Sequence, residues 1–270
     1  MDRAFAAKLL DIALARGADE AEVYTKASRN LGIEVKDQKV ETLESSMTAA
    51  YGIRVIKNKQ PGFSYSTDPG EMSSVADAAL SVARYAGPDE NLGLPLPLRA
   101  GEVRIFDTRI ASITVDEAIE HVMLMERSAL HTDGRIRKIR KTAGSFGTSD
   151  TCIVNSKGIN ECYSATGCSA HITVVAEEGA ESQMGWDYEG SRFLDETAFG
   201  RVGTNAAKKA LYLLGAKRIA PIKGFILLES SVAAEFLGIL ASSLSSEAVQ
   251  KGKSMLAGKK GEQVMSPLLN

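Results

Sequence analysis

The feature that most constrains this chain is an order of elements that occurs twice. A helical stretch, a run of strands joined by tight turns and a second helical stretch fill residues 1–87, and the same order returns over 114–220. In the first stretch Phe5, Leu9 and Ile12 recur at helical spacing over 3–16, and Gly17 stands where a C-terminal cap belongs. Residues 20–37 and 40–57 read as successive strands. A turn over 57–62 leads to a third strand at Phe63, Ser64, Tyr65 and Ser66. Asp68, Pro69 and Glu71 then mark a helix start, with Met72, Val75, Ala76, Ala79, Val82 and Ala83 on its buried face; Gly87 and Pro88 end it.

The second round opens with Thr114 and Glu117, a capping-box pair, ahead of a helix marked by Val115, Ile119 and Val122. Strands are expected at 135–147, 149–155, 159–176 and 181–188, with Gly158 in the left-handed conformation of a tight hairpin. A helix over 193–214 ends at Gly215. Gly52, Ile53, Arg54 and Val55 ahead of Gly62 and Phe63 echo His171, Ile172, Thr173 and Val174 ahead of Gly185 and Trp186. This is a faint sign of duplication. Strands grouped between helices, rather than alternating singly with them, predict an α+β fold and not a doubly wound parallel sheet.

The expected organisation is thus a first α+β unit over 1–87, a linker over 88–113, a second α+β unit over 114–220, and the start of a third, truncated region over 221–270. The linker is stiffened by Pro88, Pro95 and Pro97, and the alternation of Leu92, Leu94, Leu96 and Leu98 predicts an extended segment lying on an apolar surface. The third region reads as a short apolar strand at Phe225, Ile226, Leu227 and Leu228, a helix from Ser231, and a Gly- and Lys-rich segment over 252–262.

Composition excludes some functions. With a formal net charge of -2 the chain has no global field to attract nucleic acid. No apolar run approaches the roughly 20 residues of a membrane helix, and residues 1–5 do not read as the start of a signal peptide. Three cysteines cannot all pair within one chain, which fits a reducing, cytoplasmic setting.

The residues capable of chemistry are few. Glu117 and His121 share a helix face, with Glu120 beside them and no third ligand near; His131 is too far along. An i,i+4 charge pair on a wet face is the expectation. His171 sits in a strand, where a cross-strand polar contact is expected. Cys152 and Cys162 flank the hairpin and should stand opposite one another, and Cys168 follows; their spacing is not that of a zinc site, and three small buried thiols are expected. Gly258, Lys259, Lys260 and Gly261 lack the spacing and the Ser/Thr of a phosphate loop, and Lys251, Lys253, Lys259 and Lys260 read as a solvated cluster.

Several motifs together resemble the TldD/PmbA family, once called modulators of DNA gyrase. They are Gly17, Ala18 and Asp19; the strand Gly52, Ile53, Arg54, Val55; the strand Gly62, Phe63, Ser64, Tyr65; and the helix from Ser231. In the catalytic branch of that family the last helix carries His-Glu-x-x-x-His, with a Gly before the second His. Here the six positions read Ala234, Glu235, Phe236, Leu237, Gly238 and Ile239. Two imidazoles can hold zinc while a Glu takes a proton from the bound water, but Ala and Ile offer no lone pair. The resemblance therefore implies the PmbA (TldE) branch. Ala234, Glu235 and Ile239 are vestigial zinc-motif positions, with no catalytic residue, no metal ligand and no cofactor. It implies pairing with a metal-bearing paralogue or with itself as a dimer, and unfolded peptide as the substrate held. An active peptidase with divergent ligands, or a peptide-binding scaffold without a peptidase partner, are the alternatives. The family's long C-terminal β-rich region, which in the catalytic branch supplies a Cys ligand, is missing after Asn270. The chain is accordingly a fragment, a truncated reading frame or a short member.

Overall fold

The first helix, α1 (Arg3–Ala15), begins where the Asp2 carboxylate accepts from the Phe5 amide, and it ends at Gly17, whose φ of +97° is a glycine conformation. Next come β1 (Glu20–Lys36), β2 (Lys39–Lys57) and β3 (Gln60–Ser66). The turns between them place four non-glycine residues at positive φ: Asp37 and Gln38, then Asn58 and Lys59. Asp19 holds the second turn, its carboxylate accepting from the Asn58 amide at 2.7 Å and from Lys57 Nζ at 3.0 Å. Ser66 donates to the Glu71 carboxylate at 2.6 Å, and Asp68 caps a 3₁₀ turn, Pro69–Glu71, that runs into α2 (Met72–Ala83).

A four-residue helix, α3 (Thr108–Ala111), interrupts the expected linker. Then α4 (Val115–Leu130) starts with the complete capping box of Thr114 and Glu117. The next strand, β4 (Ile136–Asn155), is continuous through Thr148, where two strands were expected. It pairs with β5 (Asn160–Glu178) across a hairpin in which Gly158 has φ of +101° and the Asn155 side chain accepts from the amides of Lys157 and Ile159. After β6 (Glu181–Ser191), the stretch expected to be helical from 193 is a 3₁₀ turn, Leu194–Glu196, followed by α5 (Phe199–Leu213).

All six strands form one antiparallel sheet in the order β3-β2-β1-β4-β5-β6. The two stretches that the sequence separates are joined edge to edge, because β1 pairs along its length with β4, from Glu22 opposite Asn155 to Val35 opposite Thr142. Two cores lie under the sheet, and the β1–β4 seam contributes to both, Val154 to the first and Leu31, Ile33 and Val35 to the second. The first gathers Leu9, Ala13, Val23, Tyr51, Ile53, Val55, Ala76 and Ala79; the second gathers Val122, Met125, Ile172, Val174, Val202 and Ala206. The fold is α+β.

The echo in the sequence is a repeat in space. Val55 stands opposite Gly62 and Gly52 opposite Tyr65; Val174 stands opposite Gly185 and His171 opposite Tyr188. Both glycines lie under a helix bearing two alanines four residues apart. A Cβ on Gly62 would strike the Ala79 carbonyl oxygen and come within 2.9 Å of the Ala83 nitrogen. One on Gly185 would strike the Ala206 oxygen and the Ala210 nitrogen. The serine that ends each outer strand repeats as well: Ser191 donates to Glu196 at 2.5 Å, as Ser66 does to Glu71.

The segment between the stretches is tied down mainly by polar bonds. Of its alternating leucines Leu94 is buried, while Leu96 and Leu98 are exposed. The Leu94 amide donates to Glu20, and Asn155 Nδ2 donates to the Pro95 carbonyl. Asp107 is the anchor. Buried at 6% exposure, it accepts from the amides of Arg109 and Leu194 and from the Arg109 guanidinium, and its own amide donates to Thr166 Oγ1. The Arg109 guanidinium above all holds its carboxyl down to about 2. A depressed carboxyl stabilises the fold at pH above its unfolded value, and that contribution is lost as pH falls through the folded one. Stability should therefore drop between about pH 4 and pH 2, and Asp107→Asn should flatten that part of the profile. Urea titrations across this range check it; parallel profiles for the two proteins would contradict it.

The computed structural model describes residues 2–98 and 101–268, which divide into two units, Met1–Ala216 and Lys217–Asn270. Everything above belongs to the first. The second contains α6 (Ser230–Ser243) and α7 (Ser246–Gln250). The strand expected over 225–228 does not form. Residues 216–229 have no regular structure, and Phe225, Ile226 and Leu227 are exposed. A strand exists only when paired, and this unit has no other strand among its described residues.

Candidate functional site

The positions that the family resemblance aligns with the zinc motif lie on α6. Ala234, Glu235, Phe236, Leu237, Gly238 and Ile239 are all exposed, and no residue of the helix is buried. The Glu235 side chain makes no ion pair or hydrogen bond among the described residues. The residues present do not fit a zinc ion: Ala234 and Ile239 carry no donor atom, and Glu235 alone is one carboxylate. Among the described residues no three of His, Cys, Asp or Glu gather where they could hold a metal. Beyond α7 the Gly- and Lys-rich segment is a chain of turns built on Gly252, Gly258 and Gly261 at positive φ. The Ser254 hydroxyl donates to the Ser243 carbonyl at 2.6 Å, and Lys251 pairs with Glu247.

Two of the histidines, His121 and His171, pack against aromatic rings. His121 is half-buried beside Glu117 and Glu120 and makes no direct ion pair with Glu117, whose carboxylate is engaged with Thr114. Its ring lies 4.9 Å from that of Phe199 and 6.3 Å from that of Phe146, and burial pushes its pKa down against the pull of Glu117. Phe199, distant in sequence, is the signal that helix periodicity could not supply. His171 stands 6.3 Å from Trp186, an aromatic neighbour where a polar one was expected, and burial lowers its pKa. The His131 Nδ1 lies 2.6 Å from the Arg127 carbonyl oxygen at the end of α4.

Cys152 and Cys162 stand opposite one another as the hairpin spacing requires, but they are not thiols: they form a disulfide, with Cα atoms 4.1 Å apart. Only Cys168 is free, buried, with its thiol pushed up by desolvation. The reading of three thiols is thus corrected. Side-by-side register, not chain spacing alone, brings two sulfurs within bonding distance. Denatured without reductant, the protein should yield one alkylatable thiol per chain, at Cys168; peptide mapping that finds three would remove the bond.

A second feature concerns backbone. The outer strand β3 pairs with Tyr51–Lys57 of β2, so among the described residues no strand lies on the outer side of residues 39–50. Ten of these twelve residues are exposed, with Met47 at 82%. On the opposite flank β6 covers β5 only from Cys168 onward. Between the two cores the sheet has a surface of small residues. A cleft of about 320 Å³ lies over Ala27, Ser28, Thr48, Ala49 and Thr148, with Arg29, Met47 and Asp150 at its sides. No sequence motif marks this surface, because its residues are ordinary for strands and only the pairing shows that one edge is open.

The relatives of the chain decide its family. The PmbA/TldA metallopeptidase domain 1 matches residues 21–83, the PmbA/TldA metallopeptidase central domain matches 108–214, and the PmbA/TldA metallopeptidase C-terminal domain matches 223–270. The chain belongs to the PmbA/TldD metallopeptidase family. It is 28% identical over 257 residues to the metalloprotease PmbA of Escherichia coli O157:H7, covering 92% of this chain and 56% of that protein. It is 28% identical over 267 residues to a PmbA homologue of Haemophilus influenzae, covering 95% and 58%. The chain thus spans about half the length of the curated relatives it matches. TldE from Thermococcus kodakarensis superposes with a TM-score of 0.79 at 20% identity, over 94% of this chain and 58% of that one. A candidate modulator of a DNA gyrase from Thermotoga maritima MSB8 superposes with a TM-score of 0.88 at 21% identity, over 98% and 60%. These likenesses establish the fold. Among the described residues no helix is long and apolar enough to cross a membrane.

Proposed function

We propose that this PmbA/TldD-family chain is a non-catalytic subunit of a cytoplasmic metallopeptidase, holding unfolded peptide for a metal-bearing paralogue that performs the hydrolysis. The observation that carries this reading is the donor set on α6, where Ala234 and Ile239 stand at the two histidine positions of the motif. Without two imidazoles no metal-activated water forms, and Glu235 has no nucleophile to deprotonate. The open edge over 39–50 supports the holding role. A free row of backbone N–H and C=O groups pairs with any extended chain, whatever its side chains, and so suits unfolded peptide. The family supports the peptidase context. The Cys152–Cys162 disulfide is the one feature that stands against a reducing compartment.

The test is reconstitution. Alone, the chain should hydrolyse unfolded peptide at background and hold no stoichiometric zinc after a chelator wash. Mixed with a His-Glu-x-x-x-His paralogue, it should co-elute and raise that protein's activity. Glu235→Gln should leave the mixed activity within about twofold, whereas the partner's own Glu should be indispensable. A large loss from Glu235→Gln in an assembled complex would overturn the reading.

A further inference from the structure

The first residues of β4 carry an unusual concentration of charge. Arg137, Lys138, Arg140 and Lys141 alternate in pairs with Ile136, Ile139 and Thr142. A regular strand sends successive side chains to opposite faces, so two of these four cations would point into the core. The ladder to β5 avoids this by shifting register twice, between Ile136 and Lys138 and again between Ile139 and Lys141. Each shift leaves one residue extra, Arg137 and then Arg140, and turns two neighbouring side chains to the same face. As a result Ile136, Ile139 and Thr142 are buried while all four cations are exposed.

Two of the four are matched. Lys138 Nζ lies 2.9 Å from Glu177, and Lys141 Nζ lies 2.7 Å from Glu34. The side chains of Arg137 and Arg140 enter no ion pair or hydrogen bond among the described residues. They face a cleft of about 580 Å³ whose other charged residues are Lys36, Asp37, Lys138 and Lys141. Asp37, Glu34 and Glu177 are the opposing charges, so two cations are in surplus on a chain whose net charge is -2. One wall of the cleft is fixed. The turn carrying Asp37 is held by the fully buried Glu126, which accepts from the amides of Asp37 and Gln38.

We propose that this cleft binds a small anion carrying two or more phosphate groups. A guanidinium fork grips two oxygens of one phosphate, and two unmatched forks three residues apart call for two anionic groups on one ligand. The bulges, which forgo ladder hydrogen bonds, are what brings both forks to the cleft.

Isothermal titration of the full chain with inorganic tripolyphosphate at about 50 mM salt should give saturable binding that weakens as salt rises. Arg137→Gln with Arg140→Gln should weaken it about tenfold or more. Arg137→Lys with Arg140→Lys should retain part of it, and Lys259→Ala with Lys260→Ala, in the other unit, should leave it unchanged. A short single-stranded oligonucleotide should compete for the same site. Absence of saturable binding, equal binding by the double Gln variant, or an oligonucleotide that tripolyphosphate fails to displace would each overturn the proposal. Should the double variant melt at a lower temperature than the parent, Lys36→Glu at the rim is the second probe: weaker binding is expected, and undiminished binding overturns the proposal.

Discussion

Gly185→Ala should cost the first unit about 3 kcal/mol or more of stability. The added methyl has no space. It would sit inside the Ala206 carbonyl oxygen and the Ala210 nitrogen and 3.0 Å from the Ala210 Cα. These are backbone atoms of α5, so no side chain can swing away, and the helix must lift from β6. Lifting it opens the core formed by Val202, Ala206, Ala207 and Ala210 over Ile172 and Val174. At this size the loss corresponds to a melting temperature lower by roughly 6–12 °C. Gly62→Ala should behave alike for the first core, since Ala79 and Ala83 stand over it in the same way. Gly134→Ala is the control, because a Cβ there meets nothing within 4 Å. A Gly185→Ala protein that melts within about 2 °C of the parent would mean that α5 does not sit on β6 as described.

Glu126→Ala should be nearly as damaging, at about 2–4 kcal/mol. Glu126 lies in α4 and is fully buried. Its carboxylate accepts from the Asp37 amide at 3.0 Å, the Gln38 amide at 2.5 Å and Gln38 Nε2 at 2.7 Å. Asp37 and Gln38 have φ of +52° and +56°, a conformation that favours Gly or Asn and that these residues adopt only under constraint. Removing the carboxylate strands two amide donors and releases the turn. Glu126→Gln keeps one acceptor oxygen and should lose less. Urea unfolding gives the energies, and hydrogen exchange at the Asp37 and Gln38 amides locates the damage. Unchanged protection there with full stability would contradict the assignment.

Much of the architecture follows from local pattern. The period of apolar residues over 3–16 gives α1, and the capping residues Asp68, Thr114 and Glu117 fix helix starts to within a few residues. The Asn155 and Gly158 turn sets the register that puts Cys152 opposite Cys162. That Ala234 and Ile239 offer zinc no ligand is equally a matter of sequence, since a side chain without a lone pair cannot bind zinc in any fold. What the chain alone could not disclose is whatever depends on neighbours far along it. Joining two helix–strand–helix stretches into one sheet depends on β1 meeting β4, more than a hundred residues apart in sequence. The packing of His121 depends on a helix that begins at Phe199. The turning of Arg137 and Arg140 to one face depends on two bulges in a ladder with a distant partner. Periodicity reads contacts a few residues apart, because there the backbone itself sets the distance. Contacts between remote segments are set by sheet register and helix packing, which exist only once the chain has folded.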